Sequence, residues 1–269
     1  MPRQPGILRR ILAGQVAEVT GDSGRIRPIA ALATLCRPDY IRCHPASRLK
    51  AQPMAVSDPS RMLTGVLLAG GRSRRMGGGD KCLRDLAGRP LLMHVIERLQ
   101  PQVGALAINA NGDPARFAAF GLPVVEDRIG GFAGPLAGIH AGMMWARSAT
   151  PEARWIVTTS TDAPFLPLDL ASRLLASADA APGRIAVAAS QGRTHPVIGL
   201  WPVALADNLE TTLKSGGRKV LDWVLAHDNV VVDFPLLRFH GRMIDPFFNA
   251  NTPLELDEAR ALTENRGEA

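Results

Sequence analysis

Lys81 and Asp162 are the residues of this 269-residue chain best placed for chemistry on a phosphate. Lys81 closes the stretch 64–81, T-G-V-L-L-A-G-G-R-S-R-R-M-G-G-G-D-K. The apolar run of Val66, Leu67 and Leu68 ends at Ala69, Gly70 and Gly71, the sign of a buried strand stopping at a tight turn. Arg72, Arg74 and Arg75 follow, then Gly77, Gly78 and Gly79, then Asp80 and Lys81. Glycine with positive charge lets backbone N–H groups approach an anion, and a nucleotide phosphate is the anion most often met at the end of an α/β strand. No G-K-[ST] stands at Walker spacing and no G-x-G-x-x-G follows the strand directly. On glycine and charge alone, a flexible basic turn fits as well.

Asp162 follows the apolar run 155–159 and precedes Ala163 and Pro164, so a strand delivers its carboxylate to an edge and the proline stops the chain there. A carboxylate so placed suits Mg²⁺, which takes one or two carboxylates and fills its shell with water and phosphate oxygens. The competing role is a cap for the helix after Pro167, which Asp169 or Thr161 could equally supply. Lys81 and the arginines neutralise charge on a transferring phosphorus, with Arg72 and Arg74 open to a simpler role on a solvated loop face. Asn109 and Asp127 end further apolar runs; each either contacts base, ribose or metal, or caps a turn. Among six histidines, His94 and His140 fall on helices, and His195, ahead of Pro196, is the one to watch. No Ser-His-Asp or Cys-His arrangement is evident. Direct in-line transfer needs none, since the substrate brings the attacking oxygen.

The elements that must position these residues alternate. Strands are expected at 66–69, 105–109, 123–125, 155–159, 185–189 and 230–232, with a further apolar run at 196–200. Helices are expected from Pro90, then at 114–120, 136–147, 167–176, 204–213, 218–227 and 253–263. This predicts one α/β domain, Rossmann-like, with a mostly parallel sheet covered by helices on both faces. Ligands then sit at the carboxyl ends of the strands, where the glycine loop, Asn109, Asp127 and Asp162 converge.

The net charge of +6 suggests nucleic acid, yet all of it lies in residues 1–61, which hold 10 Lys+Arg against 4 Asp+Glu. Residues 62–269 carry the remaining 21 of each sign and few aromatics, which excludes a nucleic-acid-binding body. The Arg-, Pro- and Ala-rich leader 1–61 is expected to be disordered or to precede the native start at Met62, leaving 62–269 as the folded domain. Three scattered cysteines (Cys36, Cys43, Cys82) indicate neither a disulfide framework nor a zinc site. No apolar run approaches the roughly 20 residues of a membrane span. A soluble cytoplasmic protein, and a monomer, are expected.

Further motifs stand in order along the chain: G-P-L-A-G-I at 134–139, T-D-A-P-F-L-P at 161–167, H-P-V-I-G-L-W at 195–201, G-R-K-V at 217–220 and F-N-A-N-T-P-L-E-L at 248–256. Together with L-A-G-G and R-M-G-G-G-D-K, this series over residues 63–269 resembles the molybdenum cofactor guanylyltransferases. The resemblance implies GMP transfer from GTP to molybdenum-molybdopterin with Mg²⁺ and release of pyrophosphate. It places Leu68, Ala69, Gly70, Gly71, Gly78, Lys81, Asn109, Asp127 and Asp162 at the nucleotide, Asp162 at the metal, and Arg75 in the loop closing on the phosphates. Asn249 and Asn251 line the site, and the pterin is expected among His195, Arg218 and Lys219. Contact with molybdoenzyme insertion chaperones is a further expectation. Cys82 stands where the family commonly has glycine, and T-T-S-T before Asp162 is more polar than usual. A cytidylyltransferase, a sugar-nucleotide pyrophosphorylase and a non-catalytic cofactor carrier are the alternatives.

Overall fold

A computed structural model describes residues 59–70, 80–130, 134–179, 181 and 183–264 of the chain. Residues 1–58 of the predicted leader lie outside them, as do Gly71, Arg75 and Gly78 of the glycine loop. The elements run β1 (Leu63–Leu68), β2 (Asp85–Leu86), β3 (Arg89–Pro90), α1 (Leu91–Leu99), β4 (Ala105–Asn109), β5 (Val124–Val125) and α2 (Pro135–Ala149). Then come β6 (Trp155–Ser160), α3 (Leu170–Ala178), β7 (Ile185–Ser190), β8 (Arg193–Pro202), α4 (Ala206–Lys214) and α5 (Val220–Leu225). The chain closes with β9 (Asn229–Asp233), β10 (Leu237–Phe239), β11 (Arg242–Ile244) and α6 (Pro253–Glu264).

Seven strands form the main sheet in the order β5-β4-β1-β6-β8-β7-β9. All are parallel except β8, which runs antiparallel to both of its neighbours. The period-2 alternation of the strands sends successive side chains to opposite faces. Leu67, Ile108, Val157 and Leu200 pack under α1 and α3 on one face. Val66, Ile156, Val187 and Trp201 pack under α2, α4 and α5 on the other. A smaller core of Leu86, Leu91, Phe165, Ile244, Leu256 and Leu262 ties α6 and the two hairpins, β2–β3 and β10–β11, to this body. Among the described residues, no helix is long and apolar enough to cross a membrane.

Strand β1 starts three residues ahead of the predicted 66–69 because a threonine and a glycine hide its buried beginning. The Thr64 hydroxyl is satisfied by Thr150 Oγ1 at 2.8 Å. A Cβ on Gly65 would stand 2.6 Å from Leu106 Cδ1, so glycine lets the side chains of α1 and β4 close on the strand without shifting. The turn Pro59–Met62, at the end of the predicted leader, packs on this body: Gly104 N donates to Ser60 O at 2.8 Å.

Strand β8 extends the predicted run 196–200 at both ends, to Arg193–Pro202. Its register against β7 breaks between Val187 and Ala189, which oppose Gly199 and Thr194. The irregularity contains Pro196, whose missing N–H cannot join a ladder, and such bulges re-aim side chains beside active sites. Further along, Trp201 Nε1 donates to Thr158 Oγ1 at 2.7 Å in a fully buried contact. Trp201→Phe is therefore expected to cost about 2 kcal/mol, through the lost bond and the smaller ring, measurable by urea unfolding.

Candidate functional site

The ends of four strands, β1, β4, β5 and β6, meet around a cavity of about 340 Å³, lined among others by Leu68, Ala69, Gly70, Lys81, Asn109, Asp127 and Asp162. Every predicted nucleotide-contacting residue within the described part of the chain is thus at one rim. Lys81 opens a short 3-10 turn, Lys81–Leu83, and is 81 residues from its partner. Its Nζ donates to Asp162 Oδ2 at 2.5 Å and to Asn251 Oδ1 at 2.5 Å. The preceding Asp80 is anchored by Arg116, whose Nε stands 2.6 Å from its carboxylate and whose guanidinium lies over Phe117. Asp80 and Lys81 therefore leave the glycine loop with fixed directions.

Asp162 keeps its second oxygen free. Oδ1 is buried and has no hydrogen-bond partner among the described residues, and neither has the Ser160 hydroxyl on the same wall. A buried anionic oxygen without a donor is costly unless a ligand completes it. Among the described residues, no group of three or more His, Cys, Asp or Glu side chains could hold a metal by itself. One carboxylate with open space beside it suits a hard cation that takes its remaining ligands from phosphate and water, and does not suit zinc. Asp162 does not cap α3, whose N-cap position is Asp169.

Asn109 is buried, and both N–H bonds of its amide are used: Nδ2 donates to Val125 O at 3.0 Å and to Asp127 Oδ1 at 2.9 Å. It ties β4 to β5 and aims the Asp127 carboxylate. Asn111, which the sequence reading passed over, completes the clamp. Its Nδ2 donates to Asp127 Oδ2 at 2.8 Å, and Asp127 N donates back to its Oδ1 at 2.9 Å. The signal was present in N-A-N at 109–111, two asparagines on one face of a strand end. Asp127 faces the cavity with lone pairs to spare for ligand N–H or O–H groups.

Helix α2 starts at this rim and comes unusually near the sheet. A Cβ on Gly138 would lie 2.2 Å from Asn109 Oδ1 and 2.8 Å from Leu68 Cδ2, and one on Gly142 would lie 2.7 Å from Val66 Cγ2. Gly134, ahead of the helix, has φ +69°, a region that favours glycine.

Asn251 is held from its C-terminal side by a capping box. Glu255 Oε2 accepts from the backbone N–H of Asn251 and of Thr252, both at 2.8 Å, while Glu255 N donates to Thr252 Oγ1 at 3.2 Å. Ala250 N donates to Asp162 O at 3.1 Å, so the N-A-N segment and the aspartate turn are stitched together. Asn249 Oδ1 is buried without a partner among the described residues.

The three residues expected at the pterin are placed differently. His195 is buried in the β8 irregularity, bonded to Ser190, and does not line the cavity. Arg218 Nη1 donates to Leu213 O and Gly217 O at the end of α4. Arg218 and Lys219 border a separate cavity of about 320 Å³ with Asn208, Asp222 and Trp223. Arg218 O is 3.9 Å from where a Cβ on Gly134, in the wall of the first cavity, would stand. The structure also brings together a serine, a histidine and an aspartate, Ser190, His195 and Asp245, which sequence spacing did not reveal. Ser190 is fully buried and stands between the other two, so it has no path to a substrate as a nucleophile. Cys82 lines the cavity, but burial, with Asp80 adding to it, pushes its thiol up to about 11, so it is not a thiolate either.

A mostly parallel sheet with a glycine-rich sequence after β1, a lysine–aspartate pair and a cavity at the strand ends defines a nucleotidyltransferase-type protein. The MobA-like NTP transferase domain model matches residues 65–230. The chain belongs to that family, among the molybdenum cofactor guanylyltransferases. It is 52% identical to molybdenum cofactor guanylyltransferase from Bradyrhizobium sp. strain ORS 278 over 207 residues, 77% of this chain and 95% of that protein. It is 48% identical to the protein of the same name from Mesorhizobium japonicum, over 76% of this chain and 98% of that one. Among solved structures, molybdopterin-guanine dinucleotide biosynthesis protein A from Archaeoglobus fulgidus superposes with a TM-score of 0.56. That match covers 75% of this chain and 98% of the other at 22% identity, and what the two share at that level is the fold.

Proposed function

We propose that this chain transfers GMP from GTP to the terminal phosphate of molybdenum-molybdopterin, forming the guanine dinucleotide cofactor and pyrophosphate. The observation that carries the reading is the Lys81 ammonium shared between Asp162 and Asn251 at the mouth of the strand-end cavity. The backbone after β1, with Gly70, Gly71, Arg75 and Gly78, receives the β- and γ-phosphates. Lys81 neutralises charge on the phosphate oxygens as it develops. Asp162, whose Oδ1 has no partner among the described residues, would hold Mg²⁺, and the ion when bound would supply charge neutralisation at the departing pyrophosphate. Asp127, aimed by Asn109 and Asn111, accepts hydrogen bonds from the nucleoside. A new bond forms between the pterin's phosphate oxygen and the α-phosphorus as the bond to pyrophosphate breaks. The attacking oxygen belongs to the substrate, in keeping with a protonated Cys82 and an inaccessible Ser190. Arg218 and Lys219, on the separate cavity past Gly134, are assigned to the acceptor.

We place the protein in the cytoplasm, as a monomer that passes its product to molybdoenzymes or their insertion chaperones. The test is pyrophosphate release from protein, Mg²⁺ and molybdopterin supplied with GTP, CTP or ATP. Release with GTP alone is expected. Release with CTP alone would make the chain a cytidylyltransferase, and binding without release from any nucleotide would make it a carrier.

A further inference from the structure

The buried Ser190 and His195 and the half-buried Asp245 come from β7, β8 and the turn after β11, and they join end to end. Ser190 Oγ donates to Asp245 Oδ1 at 2.8 Å, and His195 Nε2 lies 2.8 Å from the same hydroxyl. A carboxylate only accepts, so the single hydroxyl proton of Ser190 goes to Asp245. Ser190 must then accept from His195, which carries its proton on Nε2. Burial holds His195 below its ordinary pKa, with Asp245 opposing and Arg193 assisting, so the ring is neutral and this tautomer is defined. Nothing in the proposed transfer uses these groups.

Their direction is toward the site. Asp245 Oδ1 also accepts from Phe247 N at 2.9 Å, and Asp245 O accepts from Phe248 N at 3.1 Å, so this one residue shapes the turn into Asn249. The Phe247 ring sits between the His195 ring, 4.8 Å away, and Phe234, 5.2 Å away. Four residues past Phe247, Asn251 grips Lys81. The capping box fixes the C-terminal side of this segment, and the Ser190–His195–Asp245 chain is its counterpart on the N-terminal side.

We propose that His195, Ser190 and Asp245 are positioning residues that set the place of the 249–251 segment, and through Asn251 the place of the Lys81 ammonium. This rests on the nucleotidyl-transfer reading of the site. The bulge in β8 then has a purpose: it turns His195 inward to reach Ser190, where a regular strand could not carry Pro196 in its ladder.

The test is a double-mutant cycle on pyrophosphate release in the full chain. His195→Leu is expected to lower kcat about 10-fold, the scale on which a displaced supporting group acts, with KM for GTP changing less. In an Asn251→Ala background the same substitution should add almost nothing, because the contact it acts through is gone. His195→Gln, which can still donate to Ser190, should recover most of the rate. Ser190→Ala, which keeps the core volume, gives a second entry to the cycle if the leucine variant does not fold. A readout independent of turnover is the acetylation rate of Lys81 by mass spectrometry, expected to rise in His195→Leu and Ser190→Ala while urea midpoints stay close. A folded variant with unchanged kcat and unchanged Lys81 reactivity, or losses that multiply with Asn251→Ala, would overturn the proposal. An inactive native protein would instead refute the transfer reading and leave the acetylation comparison to judge the positioning chain.

Discussion

Asp162→Ala is expected to cut turnover by about 10³-fold while the protein stays folded, on the scale of losing one preorganised charge-stabilising group. The substitution removes both the partner of Lys81 and Oδ1, which has no partner among the described residues and is proposed to hold the cation. The fold has little reason to fail. Asp162 does not cap α3, its main-chain carbonyl still receives Ala250 N, and Lys81 keeps Asn251. Asp162→Asn separates the two losses, because an amide oxygen can still accept from Lys81 but is a poor ligand for Mg²⁺. The expected pattern is a large loss in both variants, with the Mg²⁺ concentration for half-maximal rate raised in the asparagine form. A variant retaining near-normal turnover would remove Asp162 from the mechanism.

Gly138→Ala is expected to damage the site from the side of the helix, although propensity argues the other way. In a helix interior, alanine is favoured over glycine by about 1 kcal/mol. Here its Cβ would meet Asn109 Oδ1 at 2.2 Å and Leu68 Cδ2 at 2.8 Å, distances no side chain tolerates. Either α2 lifts from the sheet or Asn109 leaves its bonds to Val125 and Asp127, and overpacking of this kind costs roughly 1–3 kcal/mol. The contact outweighs the propensity. Because Asn109 aims Asp127, the nucleotide side should suffer more than the fold: kcat/KM for GTP is expected to fall about 10²-fold, with a lowered Tm. Unaltered kinetics, or a raised Tm, would show that the helix has room to spare.

Much of this was legible because it is periodic. Runs such as W-I-V-T-T-S and I-A-V-A-A-S announce buried strands, and the polar residues ending them fall at one rim by the logic of a parallel sheet. Asn109, Asp127 and Asp162 follow from that logic, and Lys81 from the glycine-rich sequence after β1. Elements too short for a period were not. Strands β2 and β3 are two residues each and are joined through Ala87 and Gly88, both at positive φ. The β10–β11 hairpin turns through His240 and Gly241 in the same left-handed region, where Asn-Gly is the recognised signal. Strand β8 hid its direction because a run of apolar residues has the same pattern either way. His195 was noticed for the right reason, an odd polar residue ahead of a proline, but the bulge buries it beside Ser190 instead of in the cavity. Asp245, 55 residues from Ser190, left no trace in local spacing.

The claim on which the transfer mechanism stands is that Lys81 and Asp162 act as one unit on the nucleotide phosphates. Single-turnover GMP transfer measured for Lys81→Ala, Asp162→Ala and the double variant tests it most directly. Groups that work together lose nearly everything when either is removed, so the double variant should be no slower than the worse single one. Two single losses that multiply in the double variant, or a Lys81→Ala protein that transfers GMP at the native rate, would contradict it.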